Sequence, residues 1–116
     1  MSQVNDNPQY VYSSLAADPE LGEIVEMFVE EMPGRVAILL DRFNKKDWDG
    51  LRQTAHQLKG AAGSYGFAVI SPSAGKLEGV IRDGEPEHHV YEAITELVNL
   101  CSRVRSGGPT ADAQVS

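Results

Sequence analysis

What this chain has least of is cysteine: Cys101 is the only one among 116 residues. A single thiol excludes an intramolecular disulfide, and its place on an apolar helical position reads as a small core hydrophobe in a reducing, cytoplasmic setting. Long apolar runs are missing too. No stretch approaches the roughly 20 apolar residues that span a bilayer, and residues 1–17 have no basic region followed by an apolar one. Neither membrane insertion nor export is expected. Positive charge is scarce: Lys and Arg number 10 against 17 Asp and Glu, a formal net charge of -7. Such a surface repels phosphate backbones on average, and Lys45 with Lys46 is too little to make the basic stripe that nucleic-acid binding needs. No alternating strand pattern and no internal repeat is present.

What remains is helical periodicity. With 41% hydrophobic content the chain is long enough for one domain with a single core, without staples or metals. Asp18 and Pro19 open a helix over residues 19–32 with the stripe Leu21, Ile24, Val25, Phe28 and Met32. Pro33 ends it and begins the next, in which Val36, Leu39, Leu40 and Phe43 recur before the turn Asn44-Lys45-Lys46. Asp47 caps a third helix that runs to Tyr65, with Gly66 placed to close it in the left-handed conformation. Ser71 and Pro72 announce a fourth, with Ile70, Ala74, Leu77 and Ile81 inward, weakened by Gly75 and Gly79. Pro86 opens the last, in which Val90, Ile94, Leu97, Cys101 and Val104 repeat before Ser106-Gly107-Gly108-Pro109.

The connections are short, so the expected fold is all-α: an antiparallel four-helix bundle with an additional short N-terminal helix across one end. Residues 16–107 make the bundle domain, and residues 1–15 and 108–116 are expected to lack fixed structure.

The histidine helix carries the functional signal. Trp48, Leu51, Ala55, Leu58, Ala62 and Tyr65 form its buried seam. At about 100° per residue, His56 points roughly 140° from the seam's centre, with Arg52, Lys59, Gly60 and Gly63 within about 60° of it. Each interior glycine costs about 1 kcal/mol relative to alanine, so two on the solvent face suggest that a partner approaches the bare backbone there. A neutral imidazole, with an unperturbed pKa near 6.5, offers a nucleophilic nitrogen to phosphorus, and Lys59 stands one turn on to neutralise phosphoryl charge.

His56, Lys59, Gly60, Ala61, Ala62, Gly63, Ser64 and Gly66 resemble the His-x-x-Lys-Gly motif of histidine phosphotransfer (HPt) domains, four-helix carriers of multistep phosphorelays. The resemblance covers roughly residues 19–106. It implies that His56 accepts a phosphoryl group from a receiver-domain aspartate or a histidine kinase and passes it to another receiver. Lys59 would contact the phosphoryl oxygens, with Arg52 assisting from the preceding turn. Gly60, Gly63, Gln57 and Ser64 would form the docking surface. Glu78, 22 positions after the histidine, would accept a hydrogen bond from the inner imidazole nitrogen and fix the tautomer. The resemblance further implies a monomeric, cytoplasmic carrier with no cofactor of its own, the partner receiver supplying magnesium and acid groups.

Two other classes stay open on the residues alone. One is a pure interaction bundle that sequesters a receiver; the other is an enzyme such as a phosphohistidine phosphatase or an autonomous kinase domain. The glycine-rich string at residues 60–66 fits a nucleotide loop poorly, because Lys59 precedes the glycines and the surroundings are helical. His88 and His89 are adjacent, and their side chains are expected to diverge into solvent without making a metal site.

Overall fold

A computed structural model describes residues 10–106. Four helices dominate: α1 (Gly22–Asn44), α2 (Trp48–Ser64), α3 (Ile70–Arg82) and α4 (Glu87–Cys101). Each packs on the next, α2 most extensively on α3, and α1 also touches α4. Val25, Phe28, Met32 and Leu39 of α1 meet Leu51, Ala55, Leu58 and Ala62 of α2 in one core. Ile70, Ala74 and Leu77 of α3, with Val90, Ile94, Leu97 and Cys101 of α4, complete it.

The separate N-terminal helix expected before Pro33 does not exist. α1 runs through Pro33 without a break. Proline removes one backbone hydrogen bond and costs about 3 kcal/mol in a helix interior. The apolar spacing nevertheless continues across it, since Phe28, Met32 and Leu39 are all buried in the same core while Pro33 is exposed. Burial on both sides offsets the local cost. Ile24 and Leu40, assigned to the apolar stripes, are exposed.

Each connection between helices is closed by one residue at positive φ: Lys46 (φ 56°), Gly66 (φ 83°) and Gly84 (φ 69°). After α2 the chain makes paired reverse hydrogen bonds, Gly66 N–H to Gly63 O and Phe67 N–H to Ala62 O. That closure turns the apolar residue following the glycine back onto the helix. Phe67 is accordingly fully buried and stacks on Phe28 with ring centroids 5.2 Å apart.

α4 ends at Cys101, one turn sooner than expected, and Val104 lies in a strand. β1 (Val11–Tyr12) and β2 (Val104–Arg105) pair in parallel, Val11 opposite Val104. Two-residue strands are too short to leave an alternation in the sequence, which is why none was visible. The expectation that residues up to 15 lack structure therefore fails from Tyr10 onward: Ser13 is buried and its hydroxyl donates to the Tyr65 carbonyl. Residues 1–9 and 107–116 lie outside the described residues.

Burial also governs the lone thiol, pushing Cys101 up to about 12. A thiol held protonated is a poor nucleophile. Native protein at pH 8 should therefore resist alkylation by iodoacetamide while protein in urea labels fully, as read by mass spectrometry. Rapid labelling of native protein would mean that the end of α4 opens readily.

Candidate functional site

Asp47 starts the helix that carries the site, its carboxylate accepting from Gly50 N–H at 3.0 Å. From there the helical period places Leu51, Ala55, Leu58 and Ala62 inward and His56 outward. The His56 side chain is 63% exposed. Its Nδ1 lies 2.9 Å from Glu78 Oε2, across the α2–α3 contact. The second oxygen, Oε1, lies 3.2 Å from Lys59 Nζ. One carboxylate thus holds both the imidazole and the ammonium.

Glu78 is only 13% exposed at its side chain, whereas its two partners face solvent. The hydrogen bond from Lys59 is the largest influence on its carboxyl and holds it below the ordinary 4.5; burial opposes this, and the bond from His56 adds to it. An ionised carboxylate can only accept hydrogen bonds. In the neutral ring, Nδ1 therefore carries the hydrogen and the lone pair sits on Nε2, pointing away from α3.

The lowered folded value has a consequence for stability. A carboxyl whose pKa is depressed on folding contributes stability that is complete above its unfolded value, near 4.5, and is lost as pH falls through the lower folded one. Wild-type protein should therefore lose more urea resistance between pH 7 and pH 3 than Glu78→Gln does. Equal losses in the two proteins would contradict the pairing.

Of the other sequence-predicted residues, Arg52 and Gln57 stand beside this pair. Arg52, Gln53, His56, Gln57 and Glu78 line a shallow concavity of about 220 Å³. Arg52 sits in its wall with its guanidinium drawn to Asp49 Oδ1 at 3.2 Å. Gly60, Gly63, Gln57 and Ser64 are all exposed on α2. A Cβ added at Gly60 would meet nothing within 4 Å among the described residues, so the backbone there is open to an approaching molecule. Gly63 differs, lying beside the Ser71 hydroxyl, 3.7 Å from where its Cβ would be.

Sequence reasoning missed two residues that touch the site, Ser71 and Gly75. Ser71 Oγ donates to the Lys59 carbonyl at 2.9 Å. A Cβ at Gly75 would stand 3.2 Å from Lys59 Cδ. Gly75 had read as a simple helix weakness. Its distance of three residues from Glu78 was the available signal, since that spacing puts both on one face of α3.

His89 shows what the imidazole–carboxylate contact alone amounts to. Its Nδ1 lies 2.8 Å from Glu85 Oε1, four residues earlier. Among the described residues that carboxylate holds no lysine as well. His88 and His89 do not diverge as expected; their rings meet edge-on at 4.4 Å. Among the described residues no group of three or more His, Cys, Asp or Glu is placed to hold a metal ion.

The site is a solvent-facing imidazole fixed through its inner nitrogen, with an ammonium beside it, on a mostly helical four-helix scaffold. The family model of the Hpt domain matches residues 23–107, and the chain belongs to that family. Hpt domains carry phosphoryl groups on histidine in phosphorelays, exchanging them with receiver domains and kinases rather than catalysing a reaction of their own. No curated protein and no solved structure matches the chain at a significant level. Among the described residues no helix is long and apolar enough to cross a membrane.

Proposed function

We propose that His56 is the phosphoryl acceptor, taking the group on Nε2 from a receiver aspartate or a kinase domain and passing it to another receiver. The observation that carries this reading is Glu78 Oε2 against Nδ1 at 2.9 Å, on a ring otherwise open to solvent. With Nδ1 held, Nε2 attacks phosphorus while the bond from phosphorus to the aspartyl oxygen breaks and its electron pair leaves with the carboxylate. The ring becomes a phospho-imidazolium whose Nδ1 hydrogen stays directed at Glu78, so the developing positive charge faces a carboxylate. Lys59 contacts the phosphoryl oxygens, and Arg52, one turn earlier, lends positive charge to the same concavity.

Docking uses Gly60, Gly63, Gln57 and Ser64. It extends onto α1, where Ile24 and Met27, 41% and 55% exposed, wall a second concavity with Tyr65. The interface is small and polar-rimmed, because a carrier must release one partner before meeting the next. The partner receiver supplies the acid groups and magnesium, and this chain needs no cofactor of its own. It acts as a cytoplasmic monomer whose four helices, joined by short connections, run antiparallel.

Incubation with a phosphorylated receiver and magnesium should add one acid-labile phosphate, mapped by digestion to the peptide containing His56. Incubation with ATP alone should leave the protein unmodified. Phosphate on another residue, or none from any receiver of the source cell, would remove the reading.

A further inference from the structure

Three residues on one face of α3 follow Lys59 from its backbone to its charge. Ser71 donates to its carbonyl at 2.9 Å. At Gly75, one turn on, no side chain intervenes, and Lys59 Cδ passes 3.2 Å from where a Cβ would stand. Glu78, a further turn along, takes the ammonium at 3.2 Å. Positions spaced four and three apart share a helical face, so backbone, stem and charge are met in order. The lysine side chain is 41% exposed and has four rotatable bonds, so something must restrict it for its ammonium to stand beside one chosen carboxylate.

We propose that Ser71, Gly75 and Glu78 form a cradle that holds the Lys59 ammonium beside the imidazole before phosphate arrives, with Gly75 a positioning residue that acts only through Lys59. This rests on the phosphocarrier reading above. When phosphate is added to Nε2, the phosphoryl oxygens draw the ammonium from Glu78 Oε1, and Oε2 keeps the ring. Glycine weakens a helix interior, so its presence at position 75 has a stability cost that the passing stem explains. Gly79 has no such neighbour: a Cβ there would meet only Arg82 Nη2, at 3.5 Å.

Gly79→Ala is therefore the internal control for Gly75→Ala and Gly75→Val, each made with Lys59 intact and in Lys59→Ala. Transfer from a phosphorylated receiver to His56 should slow roughly threefold in Gly75→Ala and roughly tenfold in Gly75→Val, the scale of a displaced positioning group. Gly79→Ala should transfer at the wild-type rate. The Tm of Gly75→Ala should not fall, because alanine favours the helix, and in Lys59→Ala the Gly75 changes should slow nothing further. Carbon-13 titration of the Glu78 carboxyl gives a readout that needs no receiver: its midpoint should move up toward 4.5 in both Gly75 variants and stay in Gly79→Ala. Wild-type transfer in Gly75→Ala, an equal slowing without Lys59, or an unmoved midpoint would overturn the cradle. Should Gly75→Val not fold, the alanine variant decides. Wild-type protein that takes no phosphate, with the midpoint shifted as expected, would instead overturn the carrier reading alone.

Discussion

His56→Gln should accept no detectable phosphate from a phosphorylated receiver while keeping its helical circular dichroism and its melting temperature. The loss is total because an amide nitrogen has its lone pair delocalised into the carbonyl and cannot attack phosphorus as imidazole nitrogen does. The fold survives because the ring is 63% exposed and buries nothing in the core. A glutamine amide can still donate to Glu78, so the carboxylate does not lose its partner. Surface changes of this kind stay within about 0.5 kcal/mol. His89 provides the comparison, since its imidazole is also held by a carboxylate, at 2.8 Å, but among the described residues that carboxylate holds no lysine. His89→Gln should leave transfer intact. Phosphate retained in His56→Gln and lost in His89→Gln would place the chemistry on His89 instead.

The largest effect on stability is expected at a residue outside every helix. Phe67 is fully buried between α2 and α3, stacked on Phe28, which also meets Tyr65 at 5.1 Å. Truncating a buried phenylalanine to alanine costs about 3–5 kcal/mol in transfer and cavity terms together. A domain of this size has only about 5–15 kcal/mol in hand, so Phe67→Ala should remove much of it. Its Tm should fall by roughly 12 °C or more, at about 4–8 °C per kcal/mol. Urea denaturation read by circular dichroism gives the free energy directly, and a loss below about 1 kcal/mol would show that the connection is not an anchor. Because Phe67 also fixes how α3 leaves α2, partial loosening there should weaken the Glu78 contact before the protein unfolds. In Phe67→Leu, a milder change, transfer should slow more steeply with temperature than in wild type.

Much of the site was legible before any coordinates. The seam of α2 and the outward direction of His56 follow from the helical period alone, and Asp47 marks where that period begins. Glu78 was implied by the resemblance to HPt domains, 22 positions after the histidine, but the resemblance says nothing about which oxygen meets which group. Lys59 was assigned to phosphate, whereas in the unphosphorylated protein its ammonium is on Glu78. Gly60 was expected to open onto solvent and does so; Gly63 was grouped with it, although it lies beside Ser71.

The larger misreadings share one cause. Pro33 is a strong local stop, and reading it as such divided α1 into two helices. What overrides the stop is burial of Phe28, Met32 and Leu39 in a core built largely by other helices. The same holds for Val104, periodic with α4 yet paired in parallel with Val11. Phe67 was not read at all, its only local hint being its place after the closing glycine.

Facing direction along one helix is a short-range property, settled within a turn or two by backbone geometry, so the chain alone placed the imidazole, the lysine and the open glycine on a common side. Distances between helices are not of that kind. Whether a carboxylate on α3 reaches a ring on α2, and whether a lysine stem finds a gap to cross, depends on how two rods are angled and slid together. That arrangement comes from Phe67, Ser71 and the packed core acting at once, and no single segment encodes it.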